Sequence, residues 1–166
     1  ILQLPQDLMI FQELIFKTKP DYIIEVGVAW SGSLIYYSSI LNILGGKKVI
    51  GIDSFVPKQI EKRIKKFSKL KNRIKIIKGI STDMKVLMKL KSIIKNSKKM
   101  IIHLDSDHSE QNVLKELNIY SKLLKKGSFL ICGDTHVELF KNDLHGKNKN
   151  YYKGDNPMTA LKIFLK

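Results

Sequence analysis

Within ten residues, 100–109, the chain runs MIIHLDSDHS, passing from oily side chains into two carboxylates and an imidazole at Asp105, Asp107 and His108. An imidazole beside two acids is the setting of a general base, because its ordinary pKa lies near neutrality and neighbouring charges move it across that range. The rival reading is a partly buried ring satisfied by backbone, and it applies to His136 as well. A strand that ran on unchanged would continue with apolar residues. The switch therefore puts the acids where the backbone reaches water, beyond a strand's carboxyl end, where α/β proteins keep their ligands.

Four other apolar runs end in the same way. After 22–26 comes Glu25-Val26-Gly27-Val28-Ala29-Trp30-Ser31-Gly32-Ser33, an acidic strand end and a small-residue loop opening a helix. Glycine lets backbone approach a ligand closely, and a helix N-terminus offers unpaired N–H groups. This GxxxxGS spacing lacks the lysine of a Walker loop and the third glycine of the dinucleotide fingerprint, which lowers both nucleotide readings. After 48–52 stands Asp53, placed either to hold a ribose diol or to cap the next helix. After 74–78 comes Gly79-Ile80-Ser81-Thr82-Asp83, whose hydroxyls either border a base or, as Thr82 or Asp83, cap a helix. The run 128–132 ends at Cys132-Gly133-Asp134.

These residues need a scaffold, and the hydrophobic period supplies it. A first helix starts near Pro5 with Leu8, Phe11, Leu14 and Ile15 on one face. The apolar runs 22–26, 48–52, 74–78, 100–104 and 128–132 are too short for helices and rich in Ile and Val. Amphipathic segments 33–44, 57–70, 82–95 and 110–124 lie between them, each long enough to cross over and return parallel, and a last helix starts at Pro157. The pattern predicts an α/β fold in three layers, αβα, with a doubly wound sheet covered on both faces. With 166 residues, 43% of them hydrophobic, one domain spanning 1–166 is expected. Residues 137–156, polar and turn-prone, read as a lid or a disordered insert, with Tyr151, Tyr152, Lys147, Lys149 and Lys153 suited to a sugar or an anionic acceptor.

Thirty Lys and Arg against fifteen Asp and Glu give a net charge of +15. A nucleic-acid partner is nevertheless not expected. Arg63 and Arg73 are the only arginines, whereas base readout favours arginine, and the lysines recur at solvated helix positions. No apolar run is long enough for a membrane helix, and the start has no basic leader. The lone Cys132 fits a small core residue in a reducing, cytoplasmic compartment. A first residue that is Ile rather than Met suggests that residues preceding it are absent from this sequence.

The segments LPQDLMIFQELI, IIEVGVAWSGSLIYYSSILNILG, GISTD, HLDSDHSEQNVLKELNIYSKLLKKGSFLICGDT and DNPMTALKIFL resemble the cephalosporin hydroxylase family, which includes rhamnosyl O-methyltransferases. The resemblance covers nearly the whole chain, and LDSDHS is its most specific piece. It implies the Rossmann-like fold of class I S-adenosylmethionine-dependent methyltransferases of the catechol O-methyltransferase-like kind. It also implies transfer of a methyl group to a hydroxyl of a sugar or other small molecule. The donor would lie across the first three strand ends: Glu25, Gly27, Val28, Ala29 and Ser33 on its methionine side, Asp53 at the ribose, Ser81 and Thr82 at the adenine, with Asp105 beside it. By the same resemblance a divalent cation, Mg²⁺ from its preference for oxygen ligands, would be held by Asp105 and Asp134, with Asp107, His108 or water completing the set. Asp105 and His108 would then be the catalytic pair.

Two departures matter. The family usually carries an acid directly before the second aspartate, as in EDT, where this chain has Gly133; restoring an acid there is expected to tighten the cation site. The chain also stops at Lys166, before the strand pair with which such sheets end, so the edge is completed either by residues absent here or by a second copy in a homo-oligomer. The competing functions are a donor-binding relative with weakened catalysis and a basic nucleic-acid-binding domain.

Overall fold

The computed structural model describes residue 1 and residues 3–139 and 153–166. The five apolar runs form one parallel sheet: β1 (Tyr22–Val26), β2 (Lys48–Asp53), β3 (Ile74–Lys78), β4 (Met100–Leu104) and β5 (Phe129–Cys132), in the order β3-β2-β1-β4-β5. Parallel neighbours cannot be joined by a tight turn, so helices carry the chain back. They are α1 (Pro5–Thr18), α2 (Gly32–Ile43), α3 (Lys58–Lys66), α4 (Met84–Ile94), α5 (Glu110–Tyr120) and α6 (Pro157–Phe164). None of them, among the described residues, is long and apolar enough to cross a membrane.

Side chains alternate across a strand, and the core divides accordingly. Ile23, Val49 and Ile101 face α1, α2 and α3, packing on Phe11, Ile15, Leu34, Tyr37 and Ile60. Ile24, Ile50, Ile52, Ile102 and Leu104 face α4, α5 and α6, packing on Leu90, Leu117, Tyr120 and Ala160. The central strands are thus covered on both faces, whereas β5 forms a half-buried edge with Phe129 exposed. Because β1 pairs with β2 on one side and β4 on the other, the chain reverses its winding beside β1, and a crevice opens at that end.

Strand limits agree with the sequence expectation to within a residue, but two helices are shorter than their period suggested. α3 ends at Lys66 because Ile60 and Ile64 are its buried anchors; Phe67 is exposed, so no further apolar contact repays the ordering of another turn. α5 passes at Ser121–Leu123 into a tighter 3-10 turn. The start of α6 at Pro157 has a cause beyond proline itself. Asn156 accepts from the N–H groups of Met158 and Thr159 while the Thr159 hydroxyl accepts from the Asn156 N–H, a complete capping box.

Asp21 ties the opposite end of the sheet. Its carboxylate accepts from the Lys98 N–H at 2.6 Å and pairs with Lys47 at 3.5 Å, so the segments leading into β1, β2 and β4 meet on it. Partial burial alone would push this carboxyl up, but the Lys98 N–H and the Lys47 charge outweigh it and hold the group below the usual aspartate range. A depressed folded-state pKa contributes stability above the unfolded value, near about 3.9, that is lost as pH falls through the folded value. Asp21→Asn is therefore expected to lower stability by about 1 kcal/mol at pH 7. In urea titrations the gap to the parent chain should narrow and close as pH falls below the ordinary aspartate range.

Of residues 137–156, the described ends are well anchored. Thr135–Leu139 forms a 3-10 turn, and Glu138 accepts from the Gly154 N–H and the Asn156 side chain. Asp155 accepts from the N–H of Glu110 at the start of α5, at 2.7 Å. Tyr151, Tyr152, Lys147 and Lys149, expected to face an acceptor, lie outside the described residues.

Candidate functional site

The carboxyl ends of β1, β2, β3 and β4 open into a cleft of about 440 Å³, bordered by Gly27, Ala29, Asp53, Ile80, Ser81 and Asp105. Its floor exists because Gly27 is glycine. The Gly27 N–H donates to Ile52 O and the Asp105 N–H to Val26 O, both at 2.8 Å, which draws the loop after β1 between its neighbours. Gly27 has φ +96°, and a Cβ there would lie 2.0 Å from the Asp105 carbonyl oxygen. Ala29 and Ser31 also have positive φ, so the loop turns tightly before α2.

Asp53 borders the cleft at the end of β2, and its carboxylate is not bare. Oδ2 accepts from the Val28 N–H at 2.8 Å and Oδ1 from the Phe55 N–H at 2.9 Å. Both oxygens keep a lone pair for a ligand, but the first task of the side chain is to clamp the loop after β1 onto β2. Capping of α3, the rival sequence reading, is not what it does.

Glu25, expected on the methionine side, lines neither the cleft nor the small pocket beside it, and its carboxylate lies within 4.8 Å of the Asp105 ligand atom. Glu25 stands in register with His103, and both face α1 and α2. There Glu25 accepts from Ser33 Oγ at 2.7 Å and lies 3.6 Å from His103 Nδ1, with the Gln3 amide beside them. Burial pushes its carboxyl up, opposed by His103 and Ser33. Alternation sets the face, which Glu25 shares with Ile23. Val28, Ala29 and Ser33 line a small adjoining pocket under Trp30. Thr82 does not line the cleft; Ile80 and Ser81 do. Asp83 occupies the N-cap position of α4 without a side-chain cap bond.

At the β4 and β5 edge the structure gathers Asp105, His108 and Asp134, whose ligand atoms lie within 4.8 Å of one another. His108 Nε2 is 3.2 Å from Asp105 Oδ1 and 3.4 Å from Asp134 Oδ2, and His136 Nδ1 is 4.0 Å from the other Asp134 oxygen. Burial would push the His108 ring down, but the Asp105 hydrogen bond and the charges of Asp134, Asp105 and Asp107 prevail and raise its pKa. Asp107, expected as a ligand, is outside this group and accepts from the Ser109 N–H at 3.0 Å, a bond that closes the turn before α5. Two carboxylates and an imidazole suit a divalent cation, and the nitrogen extends the choice beyond Mg²⁺ to Mn²⁺ and its neighbours.

Gly133 bears on a further expectation, that an acid there would tighten the cation site. A Cβ there would sit 3.0 Å from Leu104 O, 3.1 Å from His103 Nε2 and 3.2 Å from Asp105 Oδ1. The His103 ring, buried edge-on against Phe11, fills the room a longer side chain would need. Gly133→Glu is thus expected to displace Asp105 rather than simply to tighten the site. Cys132 beside it is half-buried, and burial pushes its thiol up to about 12, which makes it unreactive as expected of a packing residue.

The sequence reading missed the far wall. Ser106 and Asn112 line the cleft beyond Ser81, and behind them Glu116 is fully buried. The Ser81 and Ser106 hydroxyls both donate to Glu116 Oε1, and Tyr120 Oη donates to the Ser81 carbonyl. A signal was present: Glu116 interrupts the stripe Val113, Leu117, Tyr120 on the buried face of α5, and a charge on such a stripe needs partners.

The chain matches the family model Rhamnosyl O-methyltransferase/CmcI over residues 1–166. A rhamnosyl O-methyltransferase of Mycobacterium tuberculosis is 28% identical over 134 residues, covering 79% of this chain and 52% of that protein. The chain therefore spans about half the length of such relatives. Among solved structures, a CmcI with Mg and SAM superposes with a TM-score of 0.54 at 20% identity over 81% of this chain and 55% of the other. An O-methyltransferase from Bacillus cereus in complex with SAH gives 0.62 at 17% identity, over 98% of this chain and 68% of its own. The sheet, the cleft at its switch point and the match along the full sequence agree: the chain belongs to the rhamnosyl O-methyltransferase/CmcI family.

Proposed function

We propose that residues 1–166 form one S-adenosylmethionine-dependent O-methyltransferase domain acting on a hydroxyl of a sugar or glycan with the help of a divalent cation. One juxtaposition carries this reading. Asp105 borders the cleft and also belongs to the cation cluster with His108 and Asp134, so the donor side and the acceptor side meet at a single carboxylate. The family match and the rhamnosyl substrate in its relatives' names support the acceptor class. The neighbours solved with SAM, SAH and Mg support the donor and the cation.

The fit of the donor rests on the tight glycine loop and the wall opposite it. The Gly27 and Ala29 backbone would hold the methionine portion, with Val28 and Ser33 bordering its pocket, Asp53 the ribose and Ser81 the adenine. When bound, the donor supplies the methyl group and a cation makes a coordinated hydroxyl more acidic. Asp105 and Asp134 would hold the cation and through it the acceptor hydroxyl, and His108, which gives up the Nε2 proton it shares with their carboxylates once a cation offsets their charge, would take the hydroxyl proton there. On the acceptor side a groove of about 260 Å³ runs from Asp134 and His136 to Phe11, Leu14 and Ile131, polar at its inner end and apolar beyond.

A second reading rests on Gly133, which contributes no side chain to the cluster: a domain that binds donor without turnover. One set of measurements separates the two. Calorimetry is expected to show binding of S-adenosylhomocysteine, weakened at least about tenfold by Asp53→Ala through loss of charge-assisted bonds. Methyl transfer to a rhamnoside is expected with Mg²⁺ or Mn²⁺. Binding without transfer under either ion would favour the second reading, and absence of binding would end both.

A further inference from the structure

Glu116 is a buried acid that the proposed chemistry does not use, and it lies directly behind the part of the cleft assigned to adenine. It is inaccessible to solvent, its Oε2 has no hydrogen-bond partner among the described residues, and its Oε1 receives two hydroxyls at once. Keeping a carboxyl there is unfavourable unless it does something. Its effect on the cleft follows from proton counting. A hydroxyl has one proton and two lone pairs. Ser81 and Ser106 both spend that proton on Glu116 Oε1, so the lone pairs of Ser81 and the remaining one of Ser106 are what a ligand can meet. Asn112 commits its amide N–H groups to Ser106 Oγ at 3.4 Å and to Asp107 O at 3.0 Å, so it adds no competing donor through that group. Tyr120 fixes the Ser81 carbonyl from behind at 2.8 Å.

We propose that Glu116 is a positioning residue that sets the base specificity of the cleft. By drawing both serine protons inward it makes the wall an acceptor surface, matched to an exocyclic amino group such as that of adenine. A base with a keto oxygen at the same position would meet lone pairs with lone pairs. The inference rests on the donor reading above, and it is confined to which nucleoside the cleft takes.

The test compares binding of S-adenosylhomocysteine and S-inosylhomocysteine by calorimetry in the chain 1–166. The second compound replaces the amino group with a keto oxygen and, in the same change, turns ring N1 from an acceptor into an N–H donor, leaving the ribose and homocysteine unchanged. The parent chain is expected to prefer the adenosyl compound by about 100-fold or more, as sites built around a specific hydrogen bond do. Glu116→Met keeps the volume while removing the acceptor, a change a core tolerates, and frees both hydroxyls to turn. The preference should then fall to about threefold or less. Glu116→Gln keeps an oxygen facing the serines and should restore the preference. Ser81→Ala, which removes one reader and leaves Glu116 in place, should lower it independently of any effect of Glu116 on folding.

An unchanged preference in a folded Glu116→Met chain would overturn the proposal. So would equal binding of the two compounds by the parent chain, which would leave the donor reading intact. If the parent bound neither compound, the donor reading itself would fail, and the role of Glu116 with it.

Discussion

Asp105→Asn is expected to reduce methyl transfer by about two to four orders of magnitude, the range for losing a positioned acid–base group, while S-adenosylhomocysteine binding falls far less. The contrast follows from where Asp105 sits. Its backbone shapes the cleft: its N–H holds Val26 O, and its carbonyl packs on Gly27. An asparagine keeps those contacts. Its carboxylate serves the other side, accepting from His108 at 3.2 Å and grouping with Asp134. Asparagine retains one oxygen but loses the charge that attracts a cation and orients the imidazole. Titration with Mn²⁺ is expected to show the matching loss of cation affinity, and chelation of the parent chain should reproduce the loss of transfer with donor binding retained. Activity surviving both changes would leave His108 acting alone as the base, with Asp134 as its partner.

Gly27→Ala should be the most damaging single methyl group that can be added to this chain's cleft, with an expected destabilisation of about 3 kcal/mol or more and loss of measurable donor binding. Two effects combine. At φ +96° an L side chain is strained wherever it points, and the Cβ would lie 2.0 Å from Asp105 O and 2.6 Å from its carbonyl carbon. Those atoms belong to β4's backbone end and cannot rotate away, so the loop must lift off the sheet and take the Val28 N–H from Asp53 with it. Gly45→Ala is the internal comparison. Its φ is +76° but nothing lies within 4 Å of the added carbon, so only the backbone term remains, about 1–2 kcal/mol. Urea midpoints of the two variants should therefore differ clearly, and a Gly27→Ala chain as stable as Gly45→Ala would refute the close approach at β4.

Much of this site was legible because hydrophobic period marks strands and helices, and the residue after each apolar run lands at one edge of a parallel sheet. Asp53, Asp105 and Asp134 were readable in that way, each at or just beyond a strand end that the polarity change revealed. The same logic placed the glycine loop after β1 and the helix beginning at Pro157. The family motifs added what those residues would hold. Composition also indicated solvated lysines, and on α3 they do flank a narrow stripe of Ile60 and Ile64.

What each side chain touches was decided by tertiary structure. Glu25 and Asp105 share strand parity and their ligand atoms lie within 4.8 Å of each other, yet Glu25 is buried against Ser33 while Asp105 borders the cleft, because Glu25 sits inside β1 beneath the loop and Asp105 lies beyond the end of β4. His108 rather than Asp107 joined Asp105 and Asp134, since the turn before α5 spends the Asp107 carboxylate on the Ser109 N–H. Gly133 could be read as a missing ligand, but not as a position crowded by His103, which lies thirty residues earlier and reaches it only through the pairing of β4 with β5. Glu116 meets Ser81 across thirty-five positions for the same kind of reason. The strand order β3-β2-β1-β4-β5 brings the end of β3 against α5, and no local pattern in either segment encodes that order. Local sequence determines which residues reach the ligand-bearing edge; contacts between elements distant in sequence, set by packing of the two apolar faces, determine which of them meet.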